Sequence, residues 1–274
     1  MIYKRKQMIK TKTRTFNISS ANATNGSFKS VVNVSLPDLS FHMDNIQNAY
    51  LNVNHCEVAN SFYVVNYTND VIVINSIAYS VPRGNYNVNT FMAQLLLLIP
   101  AGFGITYSSI TTKFTFTNTT TNFTINGASP LSTINSVIGL GTTDVTSTAL
   151  SLTLPFVVNF LPLPRINFRS NFLKLNNYSS TDNSSDIFLS LQNNAPQNSV
   201  INYNNQTGTK FLIEDKNITS FIIYVTDDQN RLINFNNVNW YMTMEIDIEY
   251  LETPRLTNIT SIMQSGITIP SMLQ

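Results

Sequence analysis

The stretch V-N-W-Y-M-T-M-E-I-D-I-E-Y, residues 238–250, decides how this chain is read. Trp240, Met242, Met244, Ile246, Ile248 and Tyr250 fall on one parity, and Tyr241, Thr243, Glu245, Asp247 and Glu249 on the other. Successive side chains of a strand point to opposite faces. Strict alternation therefore predicts a β-strand with one face on a core and an acidic stripe on the other. The run exceeds the usual length of about five or six residues. A helix over the same residues would scatter the apolar side chains around its circumference. The strand is expected at the centre of a β-rich domain, with the acidic stripe in need of a partner.

Working outward, 274 residues can hold one large β domain or two smaller ones. A core of that size needs no disulfide staples, and the single cysteine, Cys56, leaves none to form within the chain. A reducing assembly site is favoured. The start M-I-Y-K-R-K-Q-M-I-K is basic but leads into no apolar h-region, so no secretory signal is read there. The longest apolar run, residues 91–105, is broken by Gln94, Pro100, Gly102 and Gly104 and is too short to span a bilayer. Val, Ile, Thr, Phe and Tyr abound, which favours strands. Lys4, Arg5, Lys6, Lys10, Lys12 and Arg14 all precede the first acid, Asp38; ten basic residues then face fifteen acidic ones. The chain is a basic N-terminal segment on an acidic body.

Residues 1–14 read as an arm, ordered against a partner. Short strands follow over residues 15–36, and residues 46–67 form a long extended segment. His55 and Cys56 are neighbours in it and point to opposite faces. They cannot converge as a nucleophile and its base, so His55 is expected at a hydrogen-bonded surface position and Cys56 in the core. Residues 71–81 read as one strand. Asn87 is placed to cap a helix over N-V-N-T-F-M-A-Q-L-L-L-L-I, apolar nearly all round and so expected to be covered on most sides. Strands are expected over 105–109, 113–118 and 123–126. Ser129-Pro130 opens a second helix carrying Leu131, Ile134, Val137 and Ile138, closed by Gly139 and Gly141. Beyond Leu152, strands are expected over 156–160, 166–175, 187–191, 211–213, 218–226 and 231–235, with polar loops over 176–185 and 193–205. The tail after Pro254 is apolar and is read as disordered or laid on a neighbour.

No catalytic, cofactor or metal constellation emerges. His42 and His55 lie in different segments, and a lone cysteine makes no zinc cluster. Gly102-Phe103-Gly104 and Gly139-Leu140-Gly141 lack the strand-to-helix setting of a dinucleotide loop. No G-x-S-x-G elbow is present. Asp227 and Asp228 with Asp182 have the chemistry of a calcium site, but paired Asp in a turn is ordinary turn chemistry. Three acids in a row along one strand face, Glu245, Asp247 and Glu249, fit an exposed or arm-paired surface better than a catalytic pair. The chain is therefore read as a non-enzyme, with Lys4, Arg5, Lys6, Lys10, Lys12 and Arg14 on one side and Glu245, Asp247 and Glu249 on the other as assembly residues.

The stretches S-V-P-R-G-N-Y-N-V-N-T-F-M-A-Q-L, P-R-I-N-F-R-S-N-F-L and I-I-Y-V-T-D-D-Q-N-R-L-I-N-F-N-N-V-N-W-Y-M-T-M-E-I resemble penton-like and minor capsid proteins of virophages, Polinton-like viruses and large DNA viruses of protists. The resemblance spans roughly residues 28–250. It implies a mainly β protein: a single jelly-roll β-sandwich with an inserted small α+β domain. The expected organisation is a basic arm at 1–14, a discontinuous jelly roll at 15–68 and 151–253, the insertion at 69–150 and a tail at 254–274. The resemblance implies a structural virion protein in the capsid, a penton assembling as a homopentamer inside the host cell cytoplasm or virus factory. Its partners would be copies of itself and neighbouring capsid proteins, with possible contact of the arm with nucleic acid or an inner membrane, and no small-molecule substrate. A cement or spike protein attached to capsomers is one alternative. A carbohydrate-binding host-attachment sandwich, using the loops at 176–185 and 193–205, is another.

Overall fold

The computed structural model describes residues 9–35, 46–161, 163–171, 186–213 and 220–251. The chain opens with β1 (Ile9–Ser19), β2 (Val31–Ser35) and β3 (Ile46–Ala59). Next come β4 (Val71–Ile74), β5 (Ile77–Ser80), the helix α1 (Val88–Leu98), β6 (Phe103–Ser108), β7 (Lys113–Asn118), β8 (Thr124–Asn126), the short helix α2 (Asn135–Ile138), β9 (Asp144–Thr146) and β10 (Ser151–Thr153). It closes with β11 (Arg165–Ser170), β12 (Ile187–Gln192), β13 (Val200–Asn204), β14 (Phe211–Leu212), β15 (Ser220–Thr226) and β16 (Tyr241–Leu251).

The first three and last six strands make two antiparallel sheets. One has the order β1–β16–β3–β13, with β14 also on β3; the other has the order β12–β11–β15–β2. This interleaving of early and late strands is that of a jelly roll, two sheets closed over one core. Cys56, Met242, Met244 and Ile246 of the first sheet share that core with Ile166, Phe168, Ile223 and Val225 of the second. Trp240 sits between them, fully buried, its ring 5.2 Å from that of Phe168 in an edge-to-face pose. Its indole N–H donates to the Lys29 carbonyl at 2.7 Å, so burying the ring strands no donor. The strand itself begins at Tyr241, three residues later than the alternation implied.

Between β3 and β11 the chain builds a second core from two small sheets, β10–β7–β6 and β5–β4–β8–β9, and α1. Phe91 of α1 stacks on Phe114 of β7 at 5.9 Å, and Leu95 is fully buried beside them. The helix starts where Asn87 predicts, because Asn87 and Thr90 form a reciprocal capping box. Its cover is thinner than its composition implies: Leu97 is 80 % exposed and Leu96 also faces outward.

Other sequence expectations are corrected here. Residues 71–81 are a hairpin and not one strand, because Asn75 and Ser76 both take positive φ and turn the chain in two residues. The second helix begins at Asn135, not at Ser129. The N–H groups of Thr133 and Ile134 donate to the Val71 carbonyl, so that stretch is fastened to β4. Gly139 ends α2 at a φ of +79°, where a Cβ would collide with the Phe156 carbonyl. Residues 156–160 form no strand and leave Phe156 and Val157 exposed. Residues 231–235 are bridged only at Leu232, to Thr226, and the extended segment from residue 46 ends as a strand at Ala59. Within 193–205, residues 200–204 are β13 and not loop.

Candidate functional site

The sequence nominates two charge rows, and β1 and β16 carry both. Residues 9–14, expected as an arm, are instead the first half of an edge strand paired to β16 of the same chain. The pairing is antiparallel, with Thr11 opposite Glu249, Thr13 opposite Asp247 and Thr15 opposite Glu245. Lys10, Lys12 and Arg14 stand opposite Tyr250, Ile248 and Ile246. Cross-strand partners share a face, so the acids lie with threonines on the outer face and the cations lie on the core-side parity. Within one subunit Lys12 and Arg14 therefore stand on the face opposite to Glu245, Asp247 and Glu249. Lys4, Arg5 and Lys6, like the tail 254–274, His42, Asp182 and the loop 176–185, lie outside the described residues.

A one-residue slip would set each cation beside an acid, and a comparison of magnitudes explains why the chain does not adopt it. Phe16 and Ile18 face Met244 and Met242 on the core side, and Ile18 is buried. A slip would turn both outward. Burying an apolar side chain of this size is worth about 1.5–3 kcal/mol, whereas an exposed ion pair contributes about 0–1 kcal/mol. Two apolar residues thus fix the register against three charge pairs.

The acidic row is matched from other elements. Lys210, just before β14, places Nζ 2.6 Å from Asp247 Oδ2, and the Thr13 hydroxyl donates to Asp247 Oδ1 at 2.5 Å. Partial burial acts to raise the Asp247 pKa, but the hydrogen bonds from Lys210 and Thr13 and the lysine charge outweigh it and hold it below 3.8. The same contact, followed by the field of Asp247, Glu245 and Glu249, raises the pKa of Lys210. Glu249 accepts from Asn48 Nδ2 at 3.0 Å, and Glu245 from the Thr15 hydroxyl at 3.5 Å. Neither has a cation of its own among the described residues. Lys12 and Arg14 likewise form no ion pair there and are exposed. Sequence reasoning missed Lys210 because its position depends on β14 docking beside Tyr50, which pairs Asp247.

Further along the same face, His55 sits with Nδ1 2.7 Å from Asn204 Oδ1 and Nε2 2.9 Å from Glu57 Oε1. Both contacts are to oxygens, so the imidazolium, with two N–H donors, satisfies both. The Glu57 hydrogen bond, then the Asn204 one, raises the pKa above 6.5 against a small opposing effect of burial. Cys56 points the other way into the core, and desolvation pushes its pKa far up, as an inert buried thiol requires. Asp227 accepts from the N–H groups of Gln229 and Arg231 at 2.9 Å and from Arg231 Nε at 2.7 Å. Asp228 accepts from Asn167 Nδ2 at 3.1 Å. That is turn chemistry, and among the described residues no three His, Cys, Asp or Glu side chains group as a metal site.

No family model and no curated protein matches the chain. Among solved structures it is similar to the crystal structure of the mavirus penton protein, with a TM-score of 0.44 and 14 % identity, over 86 % of this chain and 99 % of that one.

Proposed function

We propose that this chain is a structural virion protein, positioned at a capsid vertex as a penton and closing into a homopentamer, with the unit at about 69–150 as a domain inserted in its jelly roll. The observation that carries the reading is the strand order β1–β16–β3–β13 over β12–β11–β15–β2. This architecture is used by viral capsid proteins among others. A fold hosts many functions, and the resemblance of residues 28–250 to penton-like and minor capsid proteins narrows the choice.

The assembly surfaces are the two charge rows, in which Lys12, Arg14, Glu245 and Glu249 form no ion pair among the described residues. A ring is closed by heterologous contacts, in which different patches of one subunit meet on its neighbours. Lys12 and Arg14 of one copy lie against Glu245 and Glu249 of the next. Each exposed pair contributes at most about 1 kcal/mol, so the rows set register and orientation while apolar contacts supply most of the affinity. Mass photometry of the purified protein tests the reading. A mass of five subunits is expected; a trimer would assign the chain to a capsomer or spike, and a monomer at all concentrations would overturn the ring. Salt-dependent DNA binding by a peptide of residues 1–14 would reassign the basic row to the genome.

A further inference from the structure

A cleft of about 680 Å³ separates the jelly roll from the unit inserted between β3 and β11. Its walls are residues 62–69 after β3, residues 132–142 around α2 and residues 227–236 between β15 and β16, with Arg83 and, ahead of β11, Asn159, Leu161, Leu163 and Pro164 at its border. We propose that this cleft binds a neutral oligosaccharide, giving the protein a glycan-binding function separate from assembly.

Four observations point to that ligand class. The volume lies within the roughly 300–1,000 Å³ of small-molecule sites. The cations are already spent, because Arg83 is held by Asp70 at 2.9 Å and Arg231 by Asp227 at 2.7 Å. That leaves no surplus cation for phosphate, sulfate or nucleic acid. What remains is a mixture of neutral donors and acceptors. Gln229, Ser136 and Thr142 are exposed, and their side chains form no hydrogen bond among the described residues. The Asp228 carboxylate, which no cation pairs among the described residues, adds one charged acceptor. Beside them lie the Tyr67 ring, Leu232 and Leu161, the last 71 % exposed. Hydroxyls on apolar carbon rings are the chemistry that such a half-polar, half-apolar lining accepts.

The walls are also held in place before any ligand arrives. The Tyr67 hydroxyl donates to the Leu232 carbonyl at 2.7 Å, and Asn236 Nδ2 to the Ser61 carbonyl at 2.6 Å. Asp227 fastens the opposite turn through its three bonds to Gln229 and Arg231. Binding then costs little ordering of the site. A peptide docking by strand addition would need an open strand edge, and these turns offer none. Of the loops expected to carry sugar recognition, 193–205 does not line the cleft, and 176–185 lies outside the described residues.

The test is an array of neutral, sialylated and sulfated oligosaccharides probed with the full chain. The best binder is then titrated against wild type, Gln229→Ala/Thr142→Ala and Leu161→Asp, with Ile110→Ser, in the turn between β6 and β7 and away from the cleft, as control. All four substitutions are at surface positions and leave the fold intact, which circular dichroism checks. A neutral glycan is expected to bind wild type and the control equally and the two cleft variants at least tenfold more weakly. Binding confined to charged glycans, binding unaffected by the cleft variants, or no glycan bound at all overturns the proposal. None of these outcomes bears on the subunit count that tests the penton reading.

Discussion

β1 and β16 are neighbours that treat charge in opposite ways. The acids of β16 sit on the outer face of the sheet, where Lys210, Thr13, Asn48 and Thr15 meet them. The cations of β1 have the same spacing, every second residue, but stand on the other face, where Lys12 and Arg14 meet no acid of their own chain among the described residues. Complementary spacing on paired strands therefore does not bring charges together; the apolar positions that must be buried decide which face each charge takes. Phe16 and Ile18 settle the matter for β1, and the row Met242, Met244, Ile246 and Ile248 for β16.

The largest effect expected on this contrast is from Ile18→Ala. Truncating a buried aliphatic side chain costs about 2–5 kcal/mol, and a site so near the sheet edge belongs at the lower end. Urea denaturation measures it, and a loss below about 1 kcal/mol would show that Ile18 does not fix the register. Asp247→Ala comes next. It leaves Lys210 and Thr13 without their acceptor, and with Lys210 half exposed the expected loss is about 1 kcal/mol. The depressed pKa gives this term a sign: the stabilisation is present above 3.8 and disappears as pH falls through the folded value. The gap between wild type and Asp247→Ala should therefore close in acid, and a gap unchanged at pH 2 would contradict it.

Smaller still is the His55 contribution. Its pKa is raised on folding, so its stabilisation is full below 6.5 and fades as pH rises through the folded value. Wild type should lose a few tenths of a kcal/mol between pH 6 and 8.5 relative to His55→Gln, as expected for an exposed pair. Equal pH slopes for the two would remove the imidazolium from the account. Smallest is Lys12→Glu/Arg14→Glu in the isolated subunit, where the urea midpoint should move by no more than about 0.5 kcal/mol equivalent. A large loss would mean that these cations already have work to do within their own chain.

What was legible in the sequence follows from where local pattern and tertiary packing agree. The buried parity of residues 240–248, the core position of Cys56 and the capped start of α1 were all readable, because each depends on neighbours in sequence. The edge strand β1 was not. In K-T-K-T-R neither parity is apolar, and its strand character rests on Phe16 and Ile18 at one end and on β16, more than two hundred residues away, at its side. Ser129-Pro130 carried good helix-start chemistry, but its segment is fastened to β4 by hydrogen bonds no local rule foresees. The partner of Asp247 was hidden for the same reason, since Lys210 has no periodic pattern around it.

The claim that the two rows meet across copies is tested most directly by charge reversal in three variants of the full chain: Lys12→Glu/Arg14→Glu, Glu245→Lys/Glu249→Lys, and all four together. Mass photometry at low and high salt reads the subunit count. Either pair alone should shift assembly toward monomers, more at low salt than at high, where like charges now face each other unscreened. The fourfold variant should regain the wild-type mass, because the attraction is restored with its sign inverted. If it assembles no better than the two double variants, or if either double variant assembles like wild type, the rows are not the contact that joins the subunits.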